Sequence, residues 1–71
     1  MNIANAIRAE LGWRDMNLTE LSEKTGIAQA TLSKRMNGHS KFLADDLRKI
    51  AQALDMPMWE LVRRAEEKTA A

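Results

Sequence analysis

Apolar positions recur along this chain at helical spacing and divide it into five stretches. Ile3, Ala6, Ile7 and Leu11 form the first stripe. They predict a helix over residues 2–12 that closes the core, weakened at its end by Gly12. Trp13 reads as a packing residue at the helix edge, and residues 13–16 as a connection. Arg8 and Arg14 have no spacing that assigns them a partner. From Asn17 to Gly38, NLTELSEKTGIAQATLSKRMNG, the pattern is two short helices about a tight turn. Asn17 is placed to cap the first of them, and Glu20, three residues on, to complete a capping box. Gly26 stops that helix after Thr25, because only glycine enters the left-handed C′ conformation without a Cβ clash. Ser22 keeps this flank small enough for a close helix crossing.

The next helix runs over residues 28–37. At about 100° per residue, Ala28, Leu32 and Met36 fall on one arc, where Leu18, Leu21 and Ile27 can pack. Gln29, Ala30, Ser33, Lys34 and Asn37 fall on another. Downstream, Leu47, Ile50, Ala51 and Leu54 make a stripe that predicts a fourth helix over Ala44–Leu54. Asp45 and Asp46 lie in its first turn, where the helix dipole favours anions. Adjacent carboxylates on a helix point about 100° apart, so these two do not make an acid–base pair. Pro57 suits the first turn of a fifth helix running to about Glu67. There Met58, Leu61, Val62 and Ala65 face the core, and residues 68–71 are expected to fray.

The outward arc of the third helix carries amides, a hydroxyl, a methyl and a cation. Those groups read base edges: Gln or Asn pairs with adenine, Lys with guanine, Ser with either, and Ala meets a thymine methyl. Two helices joined by a short turn with this pattern form a helix-turn-helix.

The stretch resembles the helix-turn-helix of phage repressors and Cro proteins, the xenobiotic-response-element type family. The resemblance rests on Asn17, Leu21-Ser22, Gly26, Ile27 and Asn37-Gly38, and on LRKIAQALDMPMWEL from Leu47 to Leu61. It extends over residues 3–64. It implies an all-α, compact five-helix, lambda-repressor-like DNA-binding domain, with the motif formed by helices 2 and 3. Three positions depart from the family pattern. Leu18 stands where a phosphate-binding Gln is common, Ala28 where Ser or Thr caps the reading helix, and Pro57 where Ser often caps the fifth.

Composition narrows the function classes. A chain of 71 residues is at the lower limit for a core that folds alone. One domain is expected over residues 1–67, with the motif at 17–38. Nearly half the residues are hydrophobic (45%), too many for a disordered chain. No cysteine is present, which excludes disulfides and thiolate chemistry and fits a reducing compartment. No apolar run suits a signal peptide or a bilayer span, so a cytoplasmic location, in a bacterial cell or a phage-infected host, is expected. Net charge is only +1, but residues 29–44 hold Lys34, Arg35, His39 and Lys41 without one acid. Taken without the motif, that run equally fits a solvated loop. A single histidine cannot build a zinc site. No catalytic residue, metal or cofactor is expected, and the chain is not read as an enzyme.

The expected function is a sequence-specific double-stranded DNA-binding regulator. The resemblance implies a small repressor: Cro-like, an immunity repressor, or a prophage or bacterial regulator. An antitoxin and a host regulator remain open. Base contacts fall to Gln29, Ala30, Ser33 and Lys34. Backbone contacts fall to Asn17, Thr31, Arg35, Asn37, His39, Ser40 and Lys41, with the simply exposed reading preferred for His39. Met56, Met58 and Trp59 offer a homodimer contact, with Trp59 alternatively covering the core edge. With no separate oligomerisation domain after the fifth helix, dimerisation would use the domain itself or occur only on DNA. A module of another class is the alternative, a helical protein-interaction domain that kept the fold and lost DNA binding. Leu18, Ala28 and the low charge favour it; the acid-free face of residues 29–37 opposes it.

Overall fold

Each connection between helices contains one residue in the left-handed conformation, and only two of those four are glycine. The computed structural model describes residues 3–69, with side chains to residue 66. Its helices are α1 (Ile3–Trp13), α2 (Leu18–Thr25), α3 (Gln29–Met36), α4 (Ala44–Ala53) and α5 (Met58–Thr69). Residues 70 and 71, the end of the stretch expected to fray, lie outside the described residues.

α1 does not stop at Gly12, which sits inside it. Asp15, at φ 52°, is the C′ residue. Met16 N–H donates to Leu11 O at 2.9 Å and Asp15 N–H to Gly12 O at 3.2 Å, a Schellman closure. The end of α4 repeats it with Asp55 at φ 55°: Met56 N–H reaches Ala51 O at 3.0 Å and Asp55 N–H reaches Gln52 O at 3.1 Å. α3 ends the same way on Gly38, with His39 N–H on Lys34 O at 2.9 Å. These turns return the chain without long loops, so five short helices enclose one core.

That core draws on every helix. Ile7, Leu21, Leu32, Ile50, Leu54 and Leu61 are its largest fully buried side chains, with Ala6, Leu11, Ile27, Met36, Ala51 and Ala65 around them. α1 packs along α5, and α2 packs against both α3 and α4. Burying a leucine or isoleucine is worth about 1.5–3 kcal/mol, so these six side chains are the main cohesive force. Among the apolar side chains expected on the α5 face, Leu61 and Ala65 are buried and Met58 and Val62 half-buried.

Two expectations about burial are corrected. Ala28 is exposed, because it is the N-cap of α3 with extended backbone (φ −57°, ψ 139°), and a helical wheel does not apply to it. Trp13 does not pack at the helix edge: it is 85% exposed, since α1 ends at that residue and turns away.

A polar cluster ties α1 to α5. Glu10 is 3% exposed, yet its carboxylate takes Arg64 Nη1 at 2.8 Å and Arg14 Nη1 at 3.2 Å. Arg64 Nη2 also meets Glu60 at 2.9 Å. Arg14 Nε donates to Leu54 O at 3.1 Å, satisfying a carbonyl at the end of α4. A buried carboxylate is tolerated only when paired in this way.

Candidate nucleic-acid interface

The motif is fixed first by its turn. Asn17 Oδ1 accepts from Glu20 N–H at 2.8 Å, as a polar N-cap should. The reciprocal bond from the Glu20 carboxylate is not made among the described residues. Gly26, at φ 76°, ends α2 with its N–H on Ser22 O. Ser22 does more than stay small: its hydroxyl donates to Ile27 O at 2.6 Å. Thr25 Oγ1 donates to Leu21 O at 2.7 Å and accepts from Ile27 N–H at 3.2 Å. Two hydroxyls thus tie the turn to α2, while the buried Ile27 and Leu32 side chains press α3 onto the core. This sets the angle at which α3 leaves the body.

On α3, Leu32 and Met36 point inward, and Gln29, Ala30 and Lys34 stand exposed. Thr31 and Ser33 are half-buried at the flanks of that face. Gln29 and Lys34 make no side-chain hydrogen bond or ion pair among the described residues. Asn37 Nδ2 lies 3.4 Å from Ser33 Oγ, at the far limit of hydrogen bonding. The helix start has no side-chain cap, as Ala28 implies. Its first-turn N–H groups are therefore open to water or to a ligand.

Gly38, His39, Ser40 and Lys41 follow as an exposed loop leading to half-buried Phe42. Asn17, at the start of α2, is also exposed; with its oxygen committed to the cap, its Nδ2 remains to donate. Arg35 behaves differently from its expected role at the DNA backbone. Its Nε is 2.9 Å from Asp46 Oδ2 and 3.2 Å from Lys41 O, and its side chain is largely buried. Asp46 accepts from Leu43 N–H at 2.9 Å as well. The first-turn acid therefore holds a specific cation besides favouring the helix dipole. Arg8 Nη2 donates to Met36 O at 3.0 Å, closing the last turn of α3 from α1. No helical periodicity announces either contact, since each leaves the helix on which its arginine sits.

Of the residues expected to contact a partner copy, Met56 and Met58 are half-buried against the core. Trp59 is 64% exposed. Its burial therefore does not account for its place at the edge of α5.

Five helices without a strand among the described residues, a hydroxyl-tied turn and an acid-free outward face on α3 define the helix-turn-helix class of DNA-binding domain. A family model described as Helix-turn-helix matches residues 7–61, from the middle of α1 into α5. The chain belongs to that family, in its Cro/C1 type, and is a DNA-binding transcription regulator of that type. The family is one of regulators rather than enzymes. No curated protein and no solved structure matches the chain. No helix among the described residues is long and apolar enough to cross a membrane.

Proposed function

We propose that the chain is a sequence-specific repressor that inserts α3 into the major groove of an operator. The reading is of the phage Cro and immunity-repressor type, or a prophage or bacterial counterpart, and its place of action is the cytoplasm of a bacterial cell or phage-infected host. The observation that carries this reading is the outward face of α3: Gln29, Ala30 and Lys34 are exposed, and neither Gln29 nor Lys34 makes a side-chain hydrogen bond or ion pair among the described residues. A major groove admits one helix and pairs amide and ammonium groups with purine edges. Gln29, Ala30, Ser33 and Lys34 read bases. Asn17, Thr31, Asn37, His39, Ser40 and Lys41 lie along the phosphates. Arg35 we assign to holding the loop, because Asp46 already occupies it.

One domain of this size makes few contacts, so two copies on half-sites about 34 Å apart supply useful affinity. Trp59, the exposed aromatic on α5, is the anchor for that second copy.

The test is iterative selection from a random-sequence duplex pool at physiological salt with excess competitor DNA. Enrichment of one motif supports the reading, and a palindrome supports two-fold binding. Weak, salt-sensitive binding with no enrichment would overturn it. A protein-interaction module would then be the better account, with the 85% exposed Trp13 as its leading contact.

A further inference from the structure

The loop between α3 and α4 is held at its far end by Phe42, which packs against the core, and otherwise by few hydrogen bonds. From Ser40 to Phe42, the only hydrogen bond among the described residues is the one that Lys41 O accepts from Arg35 Nε, at 3.2 Å. Arg35 is in turn held by Asp46 Oδ2 at 2.9 Å, and the same oxygen accepts from Leu43 N–H at 2.9 Å. Side-chain exposure is 16% for Arg35 and 11% for Asp46, so water screens this pair little. One carboxylate oxygen therefore spans the loop. It holds the last turn of the reading helix, through Arg35, and the loop's exit, through Leu43.

We infer that Asp46 is a positioning residue for DNA binding: it touches no nucleic acid but sets where Lys41 stands relative to Gln29, Ser33 and Lys34. The inference rests on the proposed phosphate contact of Lys41. Arg35 sits one residue after Lys34 on α3, so its tie to Lys41 O fixes the loop to the same rigid body that carries the base-reading side chains. A lysine held in register contributes its full phosphate attraction. On a free loop the same lysine must first be ordered, and ordering offsets part of what it gains. Asp46 also keeps the Arg35 guanidinium turned inward, which leaves phosphate neutralisation in this region to Lys41.

The experiment is a double-mutant cycle of Asp46→Asn and Lys41→Ala, read as binding to a random-sequence 20-base-pair duplex over a salt series. Asp46→Asn keeps an acceptor for Leu43 N–H and removes the charge facing Arg35. Binding is measured well below each variant's melting temperature. In the wild-type background, Lys41→Ala is expected to flatten the salt slope by about one unit. In the Asp46→Asn background, its effect on affinity shrinks at least about threefold, a coupling that independent sites do not show. Asp46→Asn and Gln29→Ala should combine additively on a duplex enriched by selection. If Lys41→Ala changes the slope and its effect is the same in both backgrounds, the positioning role is overturned while the phosphate contact stands. If Lys41→Ala leaves the slope unchanged in the wild type, the phosphate contact itself fails, and this inference with it. Where Asp46→Asn does not fold, Arg35→Gln takes its place in the same cycle with the same two outcomes.

Discussion

Arg64 Nη1 reaches both carboxylate oxygens of Glu10, at 3.0 Å and 2.8 Å, across 54 positions of sequence. The guanidinium pKa is raised above its ordinary value, first by the hydrogen bond to Glu60 and then by the charge of Glu10. A raised value means that its contribution is complete below the unfolded-state pKa and is lost only as pH rises beyond it. No loss through Arg64 is therefore expected anywhere near neutrality. Replacing Glu10 by Ala leaves Arg14 and Arg64 without their shared acceptor. This should lower stability by about 1.5–3 kcal/mol, the range for hydrogen bonds to charged groups. Urea unfolding of Glu10→Ala checks it; a midpoint equal to wild type would show that the pairing only balances its own desolvation.

Asp15 and Asp55 hold left-handed conformations at φ 52° and 55°. Side chains with a Cβ are strained there, whereas glycine is not. Asp15→Gly and Asp55→Gly are each expected to stabilise the fold by about 0.5–1 kcal/mol. For a chain of this size that is a rise of several degrees in melting temperature. A fall in melting temperature for either variant would mean that the aspartate side chain contributes more than its backbone costs.

The parts of this fold that are legible in the sequence are those whose causes are local. Asn17 caps α2 and Gly26 ends it because a cap and its partners lie within a few residues of one another. The stripes ending in Leu54 and Ala65 face the core because helical spacing is a local geometric fact. The misread features depend on distant groups or on the exact register of a helix end. Gly12 is expected to weaken a helix end at residue 12, but α1 runs one residue past it and leaves the left-handed position to Asp15. Trp13 resembled a packing residue, but nothing nearby in the chain indicates whether another element will cover it. Arg35 looked like one more cation on a basic run; its pairing with Asp46 forms only once the intervening loop closes. At the site itself, the exposed residues of α3 and the apolar Leu32, Met36 and Ile27 beneath them were readable from periodicity, whereas the polar ties through Ser22, Arg35 and Asp46 were not.

Loss of one reading contact should differ from loss of one phosphate contact. Gln29→Ala and Lys34→Ala are expected to weaken binding to the enriched duplex by about 1–3 kcal/mol each and to relax preference at one base pair. Lys41→Ala should weaken enriched and random duplexes alike. Binding isotherms on both duplexes separate the cases; three variants with the same profile would show the roles to be misassigned.

Ser22→Ala removes the hydroxyl that donates to Ile27 O at 2.6 Å. The variant should lose about 1 kcal/mol of stability, and its affinity for DNA should fall because α3 is held less firmly. Thermal denaturation alongside DNA titration tests this. Full affinity together with lowered stability would place the orientation of α3 in the apolar contacts of Ile27 and Leu32 alone.

Trp59 is the exposed indole that would be covered in a dimer. Sedimentation with and without DNA should show a two-copy complex that Trp59→Ser weakens while the free domain stays folded. An unchanged dimer in that variant would move the contact elsewhere.

Gln29, Ala30 and Lys34 project exposed from α3, and neither Gln29 nor Lys34 bonds to another side chain among the described residues, while Leu32 and Met36 on the same helix anchor it. Exchanging the outward three for other residues of good helix propensity costs the fold little. On the proposed reading, the domain's address on DNA can thus be rewritten over generations, or by design, without renegotiating its stability, and even a protein with so small a core can diverge from its siblings one operator at a time.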